Sequence, residues 1–160
     1  MHKVSFYGIR GTTYTWIRDF LSGRTQQVVV DGVGSDSGQV KSGVPQDTVL
    51  GPLLFQIFIN DIADELHSTV RLYADDCLLY RQISTEADAK RLEEDLTTLC
   101  AWTKRWQMAF NVSKCMVVTF KSPRKRKWIK YHYKMLDQLL SRPTDTPYLG
   151  VTLGPSTNGN

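Results

Sequence analysis

The chain has 160 residues, 41% of them hydrophobic, enough for one ordinary domain that buries about two-thirds of its unfolded surface. A formal charge of +4 permits a polyanionic partner without requiring one. Three cysteines (Cys77, Cys100 and Cys115) without C-x-x-C spacing argue against a disulfide framework or a cysteine zinc site, and the longest apolar run, Val49 to Ile59, is too short to span a bilayer.

No charged and apolar leader opens the chain, so the expected location is intracellular, in nucleus or cytoplasm, with no membrane partner. Thr12 to Leu21 reads as a short helix with Trp16, Ile17, Phe20 and Leu21 on its inner stripe, ended by Ser22-Gly23. Gln26 to Val30 is a β-branched strand, and Asp31-Gly32 is a turn signal leading to a second strand near Gln39-Val40. Pro45 biases Val44 away from helix, so Ser42 to Gln46 is a loop. Pro52 suits the first turn of a helix running to about Glu65, with Leu54, Ile57, Phe58 and Ile62 inward.

Thr69 to Arg81 forms a hairpin. Thr85 caps an amphipathic helix from Glu86 to Gln107, whose core stripe is Leu92, Leu96, Leu99, Thr103 and Trp106. Lys114 to Phe120 is a strand, Lys121 to Lys127 a basic loop, and Tyr148 to Leu153 a last short strand. The fold class expected from this order is α+β, with helices packed on one face of a largely antiparallel sheet.

Two segments carry chemistry. Tyr73-Ala74-Asp75-Asp76 puts adjacent carboxylates at the hairpin tip, amid Val70, Leu72, Cys77, Leu78, Leu79 and Tyr80. Adjacent strand residues point to opposite faces, so both acids reach one site only if the turn reorients one of them. Paired carboxylates repel unless a cation neutralises them, although Asp is also an ordinary turn residue. Ser42-Gly43-Val44-Pro45-Gln46, followed by Val49 to Phe55, makes a glycine-permitted loop seated on a helix start, open to close approach by a large ligand.

Together these segments resemble the palm of reverse transcriptases encoded by LINE-type (non-LTR) retrotransposons. Tyr7-Gly8-Ile9-Arg10-Gly11, Trp16-Ile17 and Arg24-Thr25-Gln26 look like the family's segment between its first catalytic motif and its template loop. Ser42 to Phe55 resembles the template and nucleotide loop, Asn60-Asp61-Ile62 the usual ending of its helix, and Tyr73 to Asp76 the Y-x-D-D box. Asn111, Lys114 and Cys115 resemble the next motif, and Tyr148-Leu149-Gly150 the primer-grip hairpin.

The resemblance implies RNA-directed DNA polymerase activity on an RNA template, a DNA primer and deoxynucleoside triphosphates, by two-metal catalysis with Mg²⁺ or Mn²⁺. It makes Asp75 and Asp76 the catalytic metal ligands. Gly43, Gln46 and Tyr73 bind template and nucleotide, Tyr148 and Gly150 position the primer, and Lys114 approaches the leaving phosphate. Lys114 reads equally as a surface lysine, and Tyr148 and Gly150 as an edge strand with its turn. The basic run Lys121, Arg124, Lys125, Arg126 and Lys127 fits phosphate contact, a solvated loop or a nuclear-import signal.

On this reading residues 1–154 are a partial reverse transcriptase domain and 155–160 a polar tail. Within the domain, 1–41 follows the first catalytic motif, 42–120 is palm, and 121–154 is basic loop and primer-grip hairpin. Two departures stand out. The family's third carboxylate, in an F-D-x-x-x-A-F-D-like strand upstream of Tyr7, has no counterpart in Asp19, Asp31 or Asp36, and most of the fingers and the thumb are missing. Asp47 stands where the family's loop has glycine. The expectation is a fragment inactive alone, the alternatives being a non-catalytic nucleic-acid-binding module or a relic of a decayed element.

Overall fold

The computed structural model describes residues 1–120 and 128–154. The chain divides into two compact units, one ending at Asp61 and the other starting at Ile62. The expected basic loop at 121–127 and tail at 155–160 lie outside the described residues. Among those described, no helix is long and apolar enough to cross a membrane.

The first unit contains α1 (His2–Phe6), α2 (Gly11–Leu21), β1 (Thr25–Gln26), β2 (Val29–Val30), β3 (Val33–Gly34), β4 (Gly38–Gln39) and α3 (Leu50–Ile59). Its core is Val4, Ile17 and Leu54, with Ile9, Tyr14, Phe20, Leu21, Val44, Leu50 and Ile57 against it. Of the four residues expected on the inner stripe of α2, Ile17, Phe20 and Leu21 reach this core and Trp16 does not. Trp16 is 58% exposed and stacks on Phe20, ring centroids 6.0 Å apart. Successive helix residues lie about 100° apart, so Trp16 and Ile17 cannot both face so narrow a core.

α3 begins before Pro52 and stops at Ile59, well short of Glu65. Asn60, Asp61, Asp64 and Glu65 follow in turns. Three acids in that stretch would oppose the negative end of a continuing helix. Lys3 is missing from any sequence expectation, yet it is only 6% exposed. Its ammonium donates to Phe58 O and Asp61 Oδ1, both at 2.5 Å, and so ties α1 to the end of α3.

Residues 25–39 form one exposed antiparallel arm instead of a strand running through Val30. β1 pairs β4 (Thr25↔Gln39, Gln26↔Gly38) and β2 pairs β3 (Val29↔Gly34, Val30↔Val33). Between these ladders Gln27 and Val28 face Ser35, Asp36 and Ser37. That two-against-three mismatch is a bulge, and it breaks the ladder. At the tip Asp31 and Gly32 both have positive φ, 51° and 79°, which is the hairpin turn that Asp-Gly favours.

The second unit contains β5 (Thr69–Tyr73), β6 (Asp76–Tyr80), α4 (Glu86–Arg105), a single 3₁₀ turn (Val112–Lys114), β7 (Lys134–Met135), β8 (Gln138–Leu139), β9 (Thr146–Tyr148) and β10 (Val151–Leu153). Ala89, Tyr133, Met135 and Leu140 form its buried core, with Leu92, Leu96 and Cys100 of α4 packed on them. The α4 stripe is as expected, with Leu99 and Thr103 buried.

Strands pair only two by two: β5–β6, β7–β8 and β9–β10 here, like β1–β4 and β2–β3 in the first unit. All are antiparallel, and the protein is mixed α and β, but no continuous sheet links the pairs among the described residues. The expected strand at Lys114 to Phe120 is also absent. Lys114 ends the 3₁₀ turn, and only an isolated parallel bridge, Met116↔Ser141, follows. A strand needs a partner ladder, and Ser141 supplies one bond, accepting from Val117 N at 2.8 Å.

Thr85 starts α4 through a reciprocal cap: its Oγ1 accepts from Asp88 N at 3.2 Å, and Asp88 Oδ2 accepts from Thr85 N at 2.8 Å. Hydrogen bonds from the Thr85 side chain and from the Thr85 and Ser84 backbone hold the Asp88 carboxyl below its usual range. A carboxylate favoured in the fold stabilises it above the unfolded-state value, and that contribution is lost as pH falls through the lowered folded value. Thr85→Ala is expected to cost about 1 kcal/mol in urea unfolding at neutral pH. The penalty should shrink in part in acid, where the bond from Thr85 Oγ1 to the Asp88 carboxylate weakens while Oγ1 still accepts from Asp88 N.

Candidate active site

The β5–β6 register fixes the tip. Tyr73 pairs with Asp76, Leu72 with Cys77, Arg71 with Leu78, Val70 with Leu79 and Thr69 with Tyr80. Ala74 and Asp75 therefore form a two-residue turn. Ala74 has φ 50° and Asp75 does not share its positive sign, the φ pattern of a type II′ turn. Glycine is the usual first residue there; alanine in the left-handed region is strained.

Directly paired residues share a face, so Tyr73 and Asp76 lie on one side with Arg71, Leu78, Thr69 and Tyr80. The other side carries Leu72, Cys77, Val70 and Leu79. Asp75 belongs to neither strand and is turned by the loop, which frees both acids to project from the tip. Tyr73, Asp75 and Asp76 are all exposed, so the acids are not buried among the apolar neighbours that flank them in sequence. Neither carboxylate has a hydrogen bond or ion pair among the described residues. Two hard, unpaired oxygen donors at a turn suit Mg²⁺, which needs only one or two protein carboxylates beside water and phosphate. Among the described residues, no three His, Cys, Asp or Glu side chains cluster into a metal cage.

Lys114 and the primer-grip pair stand apart from the acids in bonding. Lys114 is exposed at the end of its 3₁₀ turn, and no hydrogen bond or ion pair joins it to Asp75 or Asp76 among the described residues. Tyr148 is half-buried and pairs with Val151 across a turn in which Leu149 (φ 48°) and Gly150 (φ 79°) are both left-handed. Thr146 to Leu153 is thus a complete hairpin, β9–β10, where the residue pattern read as a single strand and the resemblance implied a hairpin. Leu136 (φ 49°) and Asp137 (φ 62°) make the same kind of turn between β7 and β8 without glycine, which is why that hairpin was invisible in the sequence.

Gly43 and Gln46 lie in the first unit, on the exposed loop leading into α3. Gly43 is left-handed at φ 75°, and its carbonyl accepts from Arg24 Nη2 at 2.6 Å. Arg24 Nε also donates to Leu21 O at 3.0 Å, so one guanidinium ties the end of α2 to the loop. The sequence placed Arg24 in the resembled Arg24-Thr25-Gln26 segment but gave no sign of these partners. Tyr7 Oη accepts from Asn60 Nδ2 at 2.9 Å, joining two of the matched motifs at a cleft of about 320 Å³ lined by Tyr7, Leu53, Gln56, Ile57 and Asn60.

The loop packs tightly onto α3. Thr48 Oγ1 accepts from Gly51 N at 3.0 Å and donates to Pro45 O at 2.9 Å. A Cβ on Gly51 would collide with the Pro45 carbonyl and lie 2.9 Å from Thr48 Oγ1. Asp47 adopts φ 54°, a left-handed conformation that suits the glycine of the resembled motif.

Residues 1–153 match the family described as reverse transcriptase (RNA-dependent DNA polymerase). The chain belongs to the reverse transcriptase family. It is 33% identical over 166 residues to the probable RNA-directed DNA polymerase from transposon BS of Drosophila melanogaster, covering 96% of this chain and 17% of that protein. It is 32% identical over 149 residues to the RNA-directed DNA polymerase from mobile element jockey of the same fly, covering 88% of this chain and 16% of that one. Against the probable polymerase from transposon X-element identity is 29%, over 86% of this chain and 15% of the relative. These mobile-element polymerases agree with the LINE-type resemblance of the motifs, and the family is one of nucleotide-transferring enzymes. The chain spans about a sixth of the length of the curated relatives it matches. No solved structure matches it.

The three thiols of this reverse transcriptase chain are all half-buried, Cys77 within β6 itself. Burial, with a smaller contribution from nearby Cys115, pushes Cys77 up to about 11. Burial also raises Cys100 and Cys115. A thiol raised in the fold contributes stability below its unfolded-state value, and loses it as pH rises through the folded value. At neutral pH the thiolates are scarce, so iodoacetamide should label the folded protein slowly and the urea-unfolded chain at the rate of a free thiol. Mass spectrometry of the labelled peptides reads this directly. At the loop, Gly51→Ala should lower the unfolding free energy by roughly 1–3 kcal/mol, because the clash outweighs the helix-propensity gain of about 1 kcal/mol. Denaturant unfolding checks it.

Proposed function

We propose that this chain is palm of an RNA-directed DNA polymerase that extends a primer 3′-OH on an RNA template, with Asp75 and Asp76 holding Mg²⁺ or Mn²⁺. The observation that carries this reading is the hairpin tip: two exposed, unpaired carboxylates presented by a strained two-residue turn, in a chain of the reverse transcriptase family. When bound, a pair of such ions activates the primer hydroxyl and stabilises charge on the departing pyrophosphate.

The chain's own groups supply the rest. Gly43, without a side chain, lets the template base or nucleotide approach the loop backbone, and Gln46 offers an amide to it. Tyr73 shares a face with Asp76 and supports the nucleotide beside the metal. Tyr148 and Gly150 hold the primer end on the β9–β10 turn. Lys114 donates to the leaving phosphate. The work is intracellular, in nucleus or cytoplasm, where nucleic-acid templates lie and thiols stay reduced.

Two carboxylates make an incomplete two-metal centre, so the 160 residues alone are inactive and need a third ligand from another polymerase segment. Asp47 adds a further handicap, a negative charge and a Cβ at a left-handed loop position next to Gln46. Primer extension on an RNA template with Mg²⁺ tests both parts. The isolated chain is expected to give no product, and template-dependent synthesis by it would sink the claim of inactivity. Grafted in place of the matching segment of the jockey polymerase, the chain should support extension, more strongly with Asp47→Gly. Asp75→Ala or Asp76→Ala should abolish extension; a graft that stays active with either acid removed overturns the site.

A further inference from the structure

The backbone of His67, two residues ahead of β5, is held on both sides. Its N–H donates to Asp95 Oδ1 at 3.0 Å, and its carbonyl accepts from Arg81 Nη1 at 3.2 Å. Arg81 immediately follows β6, so the backbone of one residue, His67, gathers both feet of the hairpin and fastens them to α4. Arg81 Nε also stands 3.9 Å from Oδ1 of Asp88, the residue that closes the cap of α4.

Asp95 is a poor choice for stability alone. It lies on the α4 stripe between Leu92 and Leu99, is 1% exposed, and leaves Oδ2 without a partner among the described residues. A leucine there would bury apolar surface with no polar atom to satisfy. What leucine cannot do is accept the His67 N–H. The aspartate therefore serves geometry at the base of the hairpin.

That geometry matters at the tip. β5 has 5 residues, so the turn stands about 17 Å beyond its foot. A rigid tilt would carry both acids together, but a foot free to fray lets the strands splay and twist, which changes the spacing of Asp75 and Asp76, and metal–ligand distances tolerate only about 0.2 Å. We propose that Asp95 is a positioning residue for the hairpin: through His67 it holds the feet of β5 and β6 together and so fixes the spacing at which Asp75 and Asp76 meet a divalent cation. This rests on the reading of Asp75 and Asp76 as metal ligands.

The test uses the 160-residue chain and two readouts, Mn²⁺ broadening of the amide NMR signals of residues 73–77 and hydrogen exchange of the β5–β6 and α4 amides. Asp95→Leu should weaken Mn²⁺ binding about tenfold, as loss of a residue supporting metal ligands commonly does. It should speed exchange in the hairpin while α4 stays protected. Asp95→Asn keeps an oxygen acceptor for His67 N–H and should restore both. Unchanged Mn²⁺ binding in Asp95→Leu, or equal acceleration in α4 and the hairpin, overturns the proposal, since the residue would then be merely structural. If the wild type binds no Mn²⁺ at the tip, the metal reading fails by itself. Hairpin exchange then decides the clamp: selective acceleration upholds it and no acceleration overturns it. Should Asp95→Leu fail to fold, Arg81→Met, which removes the other bond to His67, carries the same decisions.

Discussion

Tyr73 and Asp76 close their strands around only two residues, and the exposed presentation of both acids depends on that closure. A slip of one residue would swap the faces of β5 and β6, carrying Asp76 to the side of Val70, Leu72 and Leu79. The two-residue turn prevents the slip by forcing Ala74 into a left-handed conformation. Strain of this kind persists only where the surrounding structure over-determines it, and here five cross-strand pairs do so. Adjacent acids thus escape the alternation that would otherwise send them to opposite faces.

The same logic of local closure recurs through the molecule. Turns at Asp31-Gly32, Leu136-Asp137 and Leu149-Gly150 each have two left-handed residues, and each closes a hairpin that pairs with nothing further among the described residues. Cohesion comes from elsewhere: from the buried Lys3 ammonium and its two acceptors in the first unit, and from the α4 stripe packed on Tyr133, Met135 and Leu140 in the second. Side chains that bond to backbone do much of the local fixing. Arg24 holds the Gly43 carbonyl, Thr48 holds Gly51 N, and Glu93 accepts from Lys134 N at 3.1 Å. Such bonds satisfy groups that a ladder or helix would otherwise satisfy.

Legibility in the sequence tracked the range of the interaction. α4 was readable in its cap and nearly all of its length because a capping box and a heptad-like stripe are local signals. The β5–β6 hairpin was readable because two apolar strands flank one short polar turn. The Lys114 to Phe120 strand failed because strand existence depends on a partner distant in sequence, and Ser141 offered too little. Trp16 failed for a related reason: hydrophobic spacing names a stripe, but the width of the opposing core decides how much of it is covered. The candidate site was legible in its residue types and not in its bonds; Arg24 and Gly43 each sit in a resembled segment, but nothing in the sequence joins them.

By itself the sequence determined the family, the order of the motifs and the identity of the two acids, since these depend on residue type and spacing along the chain. It also marked Asp47 as a departure, and the left-handed φ at that position supplies the physical ground. Only the tertiary structure decided that the acids are exposed and unpaired, that the strands pair two by two, and that a buried aspartate on α4 grips the foot of the β5–β6 hairpin. Those facts arise from contacts between residues far apart in the chain, such as His67 with Asp95. No local pattern encodes them, because a buried polar group finds its partner only once the surrounding chain has excluded water.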